Sequence, residues 1–219
     1  MRAYSDYKNG FIEFMAQSGA LTFGEFKTKS GRLSPYFVNT GNYRTGSQMA
    51  RLGEYYSDCY MDKIGKAVDV LYGPAYKGIP LVVSASTALF RNHNMDIPFC
   101  FNRKEVKDHG EGGIMIGCQP KPGDSIVIVE DVITAGTALR ETMQILKEVA
   151  GEVKVEALII QVDRMERAQG NLSAVQQAQH DFGIPVYSIV TVEDIMAHHC
   201  VDNEIKAKIE RYLEEYGAK

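Results

Sequence analysis

From residue 68 to residue 191 the chain repeats one pattern: a short, nearly continuous apolar run, then a stretch whose apolar residues recur every three or four positions. The runs at 68–72, 97–101, 125–129, 155–162 and 186–191 read as buried strands. Most are separated by helical patterns, roughly at 77–92, 138–149 and 171–182; in the second of these Leu139, Thr142, Leu146 and Val149 share one face. Strand and helix in alternation predict an α/β fold with a mostly parallel central sheet and helices on both faces. In such sheets ligands bind at the carboxyl ends of the strands. Upstream, Tyr7, Phe11, Phe14 and Met15 predict an amphipathic helix over 4–18. A polar, glycine-containing stretch at 23–39 reads as short strands and turns outside the main sheet. Met49, Leu52, Tyr56, Cys59 and Tyr60 mark a second helix, and the charged tail at 201–216 reads as a terminal surface helix.

The 219 residues suffice for one α/β domain with a modest extra lobe, so a single domain over 1–219 is expected, with residues 1–45 as a small N-terminal hood. The net charge of −4 argues against a broad nucleic-acid-binding face, so any anion site must be local. Cys59, Cys100, Cys118 and Cys200 fall at no metal or redox spacing and read as reduced thiols, Cys59 and Cys100 as buried ones. With no signal-like start and no membrane-length apolar stretch, a cytoplasmic protein is expected.

The most specific string is Ile-Val-Ile-Val-Glu130-Asp131-Val132-Ile133-Thr134-Ala135-Gly136-Thr137-Ala138. It sets two acids and a hydroxyl-rich glycine turn between a strand and a helix. There the free N–H groups of the first helical turn, with the Thr134 and Thr137 hydroxyls, form a cradle for a phosphate dianion. Gly136 permits close approach of the backbone. The acids cannot serve the phosphate, so they are assigned to sugar hydroxyls or a divalent cation. Cradle and acids together suit a ribose 5-phosphate. The bland alternative is a helix that merely caps itself after an acidic turn.

Three further segments fall on the same predicted edge. Residues 72–78 place Tyr76 and Lys77 among two glycines and a proline, a tight loop able to hold a second anion. Residues 103–113 pack Arg103, Lys104, Lys107 and His109 into seven positions before releasing into glycines. With no apolar face to bury, this reads as a mobile cationic lid over a polyanion, against the plainer reading of a solvated charged loop. Arg164 ends another strand and suits a planar carboxylate, though alone it would pair with Asp163 or Glu166. The His198–His199 pair lacks further ligands along the sequence and reads as surface residues.

The thirteen-residue string resembles the 5-phosphoribosyl 1-pyrophosphate (PRPP) motif of type I phosphoribosyltransferases. Together with Lys29 to Phe37, Gly73 to Gly78, Phe101 to Gly113 and Asp163-Arg164, the whole chain resembles the orotate phosphoribosyltransferases, and the lid string is the discriminating one. The resemblance implies a type I phosphoribosyltransferase fold and the Mg²⁺-dependent reaction of PRPP with orotate, giving orotidine 5′-monophosphate and pyrophosphate in pyrimidine synthesis. It assigns residues 130–138 to ribose and 5-phosphate, and Tyr76, Lys77, Arg103, Lys104, Lys107 and His109 to the pyrophosphate arm. It assigns Lys29, Phe37, Val38, Thr134 and Arg164 to orotate. Lys107, His109 and Asp131 are the expected catalytic residues, and Mg²⁺ is expected to be held mainly by PRPP, near Glu130 and Asp131. A homodimer whose lid serves the neighbouring subunit is also implied. Two departures stand out: Glu130 where the motif has Asp, which keeps charge and hydrogen bonding, and Val38 in place of an aromatic. Rival readings are transfer to another base, a PRPP-sensing regulator, and a fusion with the following decarboxylase, for which no residues remain.

Overall fold

The computed structural model describes residues 7–28, 31–107, 113–133, 136–168 and 170–218, with backbone alone for 106 and 107. Lys29, His109, Thr134 and Ala135 therefore lie outside the described residues, as does the side chain of Lys107. Helix α1 (Tyr7–Gln17) leads into a two-stranded antiparallel hood, β1 (Leu21–Lys27) and β2 (Leu33–Val38), and a 3₁₀ turn at Thr40–Asn42. Then follow α2 (Gly46–Lys63), β3 (Val70–Tyr72), α3 (Gly78–His93), β4 (Phe99–Lys107), β5 (Gly113–Gly117), β6 (Ser125–Val129) and α4 (Thr137–Ala150). The chain closes with β7 (Lys154–Asp163), α5 (Ala174–Phe182), β8 (Val186–Thr191), α6 (Val192–Ala197) and α7 (Asn203–Tyr216).

The main sheet has the order β5-β4-β3-β6-β7-β8. All neighbours pair in parallel except β4 with β5. Its strands are apolar on both faces, and alternate residues feed two separate cores. Leu71, Val127, Val129 and Ile159 pack with α1, α2, α3 and α6 on one face. Val70, Tyr72, Ile126, Ile128 and Ile160 pack with α4 and α5 on the other. The predicted sandwich of helices about a mostly parallel sheet is what the chain forms.

Two expectations are corrected, and one helix is added. The lid segment is not a loop from Arg103 onward: strand β4 runs to Lys107 and pairs antiparallel with β5, so Arg103 and Lys104 stand on a ribbon. The short helix α6 follows β8 directly, starting with a capping box in which Thr191 and Asp194 satisfy each other's backbone N–H groups. His198 is not a surface residue; it is 3% exposed, whereas His199 is open to solvent. The expected buried thiols, Cys59 and Cys100, are buried. Among the described residues no helix is long and apolar enough to cross a membrane.

Candidate active site

Helix starts separate into two kinds. Helices α2, α5, α6 and α7 each begin with a Thr, Ser or Asp side chain accepting from a first-turn N–H. Helices α3 and α4 begin with no side-chain cap. These two follow β3 and β6, adjacent central strands, at the carboxyl edge of the sheet. In α3 the N–H groups of Gly78 and Ile79 already donate to the Pro74 and Tyr76 carbonyls, at 2.9 and 3.4 Å, and the next residue is Pro80, so the first-turn amides left for another acceptor are those of α4, where the helix dipole favours an anion. At α4 the cap position is Gly136, whose φ of +70° lies in the left-handed region and whose missing Cβ faces open space. A cleft of about 330 Å³ opens there, lined among others by Pro74, Glu130, Ile133, Gly136 and Thr137.

The acids before the turn are held rigidly. Glu130 N–H donates to the Ile159 carbonyl at 3.0 Å and Gln161 N–H to the Asp131 carbonyl at 2.9 Å. The buried Tyr56 hydroxyl of α2 donates to the Glu130 carbonyl at 2.7 Å. Both carboxyl groups lean back on the backbone: Glu130 accepts from Asp131 N–H at 3.0 Å, and Asp131 from Val132 N–H at 2.8 Å. The other Asp131 oxygen accepts from Lys77 Nζ at 2.7 Å and Thr40 Oγ1 at 2.7 Å. Lys77 also reaches Thr40, at 3.0 Å.

Two neighbouring carboxyls in one buried turn cannot ionise equally. Burial works against the charge on Asp131, but hydrogen bonds from Lys77 and Thr40 and the ammonium charge outweigh it and keep its pKa below the ordinary carboxylate value. Burial, with the Asp131 charge adding to it, pushes Glu130 up to about 7. The turn therefore offers one firm anion and one carboxyl poised near neutrality.

The loop between β3 and α3 closes on itself. A Cβ on Gly73 would stand 2.3 Å from the Gly78 carbonyl oxygen, so only glycine allows the approach. The buried Asn102 of β4 pins this loop, its side-chain oxygen accepting from Ala75 N–H at 2.9 Å and from the Tyr72 hydroxyl at 3.0 Å. Tyr76 projects into solvent. On the ribbon Arg103 donates to the Gly113 carbonyl at 3.2 Å, and Lys104 lies 3.9 Å from Glu141 of α4. The ribbon base thus borders the phosphate cradle.

Arg164 ends β7 in a different environment. It pairs with Glu166 at 2.6 Å, donates to Ser34 Oγ at 3.2 Å and lies over the Tyr36 ring at 4.7 Å. Burial opposes its charge, but Tyr36 and Glu166 more than offset that and raise its pKa. Phe37 is exposed and stacks on Phe26, while Val38 packs against the core. The hood segment 34–40 consequently touches Arg164 at one end and Asp131 at the other. Thr40, Tyr56 and Asn102 carry these contacts and were given no role by the sequence.

A mostly parallel sheet whose carboxyl rim carries an acid pair before an uncapped helix start and, on the next strand, a self-closed lysine loop is a phosphoribosyl-transfer domain. The family model for the phosphoribosyl transferase domain matches residues 42–187. An orotate phosphoribosyltransferase of Clostridium beijerinckii is 50% identical, over 97% of this chain and 99% of its own. One of Pseudomonas aeruginosa is 47% identical, over 96% and 98%. The crystal structure of orotate phosphoribosyltransferase from Francisella tularensis is similar with a TM-score of 0.85 and 38% identity, covering 95% of this chain and 100% of that one. The chain belongs to the orotate phosphoribosyltransferase family and is a pentosyltransferase.

Proposed function

We propose that the protein transfers the 5-phosphoribosyl group of PRPP to orotate, giving orotidine 5′-monophosphate and pyrophosphate for pyrimidine synthesis. The observation that carries this is the open Gly136 turn beside the ionised Asp131. The turn takes the 5-phosphate on the α4 N–H groups and Thr137, with Thr134, Ala135 and Ala138 completing the cradle. Glu130 and Asp131 accept from ribose hydroxyls, with Val132 and Ile133 walling the cleft. As the glycosidic bond breaks, positive charge grows on the sugar and negative charge on the departing pyrophosphate. Asp131 stabilises the first; Lys77, Tyr76 and the ribbon residues Arg103, Lys104, Lys107 and His109 meet the second. His109 supplies a hydrogen bond or proton to the leaving group.

Orotate carries a carboxylate, and its pocket is assigned to Lys29, Phe37, Val38, Thr134 and Arg164. The hood supports this, because β2 sets Ser34 and Tyr36 around a charged Arg164. One domain over 1–219, with residues 1–45 covering the base, is the proposed unit. A homodimer whose ribbon serves the neighbouring site is proposed with it.

Mg²⁺ fits the donor set. The acid pair provides carboxylate oxygens, but Lys77 and Thr40 already engage Asp131. The chain therefore offers few ligands and leaves most positions to phosphate oxygens and water, the arrangement Mg²⁺ prefers. When bound it neutralises charge on the pyrophosphate. The test is to mix protein, Mg²⁺, PRPP and orotate and follow loss of orotate absorbance, with hypoxanthine and uracil as controls. Loss with orotate alone is expected; no loss with orotate, or equal use of another base, overturns the assignment.

A further inference from the structure

Away from the cleft, the carboxylate of Glu13 and the imidazoles of His198 and His199 converge, one ligand atom of each lying within 4.8 Å of the others. Glu13 Oε1 is 3.8 Å from His198 Nε2 and 3.7 Å from His199 Nε2. The decisive atom is His198 Nε2. It is buried and has no hydrogen-bond partner, although it faces the Glu13 carboxylate. Leaving such a nitrogen unsatisfied costs free energy. An ion bound there removes that cost.

We propose that Glu13, His198 and His199 form a binding site for a divalent transition-metal ion of the zinc type, which clamps helix α1 to the end of helix α6. Two imidazole nitrogens and one carboxylate suit Zn²⁺, Co²⁺ or Ni²⁺, and suit poorly the oxygen-seeking Mg²⁺ of the transfer reaction. At a Zn–N distance of about 2.0–2.1 Å, tetrahedral ligand atoms stand about 3.3 Å apart. The two separations from Glu13 need to shrink by about half an ångström and that between the imidazoles, at most 4.8 Å, by up to about 1.5 Å, movements that the exposed Glu13 and His199 side chains can make. A further coordination position stays open to water.

The surroundings are built to hold these ligands. Lys8 of α1 pairs with Asp194 of α6 at 2.8 Å, and Phe11, Ile12, Met15 and Ile195 are fully buried in the same core. The two helices are thus joined before any ion arrives. His198 Nδ1 lies 2.9 Å from Cys200 Sγ and 3.2 Å from the Cys200 N–H. Without an ion the N–H donates to Nδ1 and the ring proton sits on Nε2, the partnerless atom. With an ion on Nε2 the proton moves to Nδ1 and is offered to Cys200 Sγ, and the Cys200 N–H gives up its bond to Nδ1, so His198 binds as neutral imidazole.

The test uses the full chain, stripped with chelator and free of Mg²⁺ and substrates. Co²⁺ titration followed by visible d–d absorption, and Zn²⁺ titration by calorimetry, are expected to give one ion per chain, with Zn²⁺ displacing Co²⁺. Glu13→Gln and His199→Ala alter exposed side chains, so folding measured by circular dichroism should be unchanged. Each is expected to weaken Zn²⁺ binding about tenfold or more. At a fixed Zn²⁺ concentration above the parent Kd, the melting temperature of the parent chain should rise more than that of either variant. Absence of saturable binding, or binding as strong in the variants as in the parent chain, overturns the site.

Discussion

Replacing Glu130 with Gln measures what it costs to bury a second carboxyl beside Asp131. Burial, reinforced by the Asp131 charge, lifts the Glu130 pKa from 4.5 to about 7. Between those values the folded chain keeps a proton that the unfolded chain has released, so stability falls as pH rises from 4.5 to 7. At about 1.4 kcal/mol for each tenfold change in proton affinity, the loss is complete above pH 7 and amounts to about 3 kcal/mol. Gln keeps the shape and an oxygen for the Asp131 N–H but carries no charge. The variant is therefore expected to match the parent near pH 4.5 and to exceed its stability at pH 8 by up to about 3 kcal/mol. With a urea m-value of roughly 2–3 kcal/mol/M, the midpoint at pH 8 moves up by about 1 M. Urea titrations followed by far-ultraviolet circular dichroism at pH 5 and pH 8 measure the difference. Transfer activity is expected to fall in the same variant, since the group that destabilises the empty chain is assigned to the ribose. An equal offset at both pH values, or a variant less stable than the parent at pH 8, refutes the reasoning.

Lys107→Ala is expected to lower the turnover number by about 10² or more, the scale of losing one charge stabiliser; unchanged turnover in steady-state assays removes the ribbon from the chemistry. Arg164→Ala should raise the KM for orotate and spare that for PRPP, because Arg164 contacts the hood and not the phosphate turn. Equal loss for both substrates counts against its assignment. Gly73→Ala forces a Cβ to within 2.3 Å of the Gly78 carbonyl oxygen and 2.6 Å of Val82, so the lysine loop must open. The KM for PRPP should then rise by about tenfold, as for one lost well-placed interaction, and an unaltered PRPP titration contradicts the self-closed loop as a requirement.

Local signals made the architecture readable. The apolar runs ending at Tyr72, Val129 and Thr191 are strands because both faces of a parallel sheet are covered, which leaves no polar alternation to confuse them. The Glu130 to Thr137 turn was legible because its chemistry sits at consecutive positions. Strand β5 was not: Gly-Ile-Met-Ile-Gly is short and flanked by glycines, so it looked like the release of a loop. Helix α6 follows β8 with no intervening turn residue, and its boundary rests on the Thr191-to-Asp194 capping box alone. The site residues missed share one cause, contacts distant in sequence. Thr40 reaches Asp131 across 91 positions, Tyr56 reaches Glu130 across 74, and Asn102 reaches Ala75 across 27. The burial of His198 likewise depends on α1, at the opposite end of the chain.

The division of helix starts restricts how this chain is made more robust. Installing Ser, Thr or Asp ahead of a helix is a common stabilising change, yet α2, α5, α6 and α7 have already taken it. Of the two described helix starts without a side-chain cap, α3 is already tied to Pro74 and Tyr76, which leaves the rim at Gly136. An oxygen introduced there occupies the amides that an incoming phosphate needs and, if acidic, repels it. Gains in thermal tolerance have to come from elsewhere on the surface, because hardening this rim trades directly against substrate affinity.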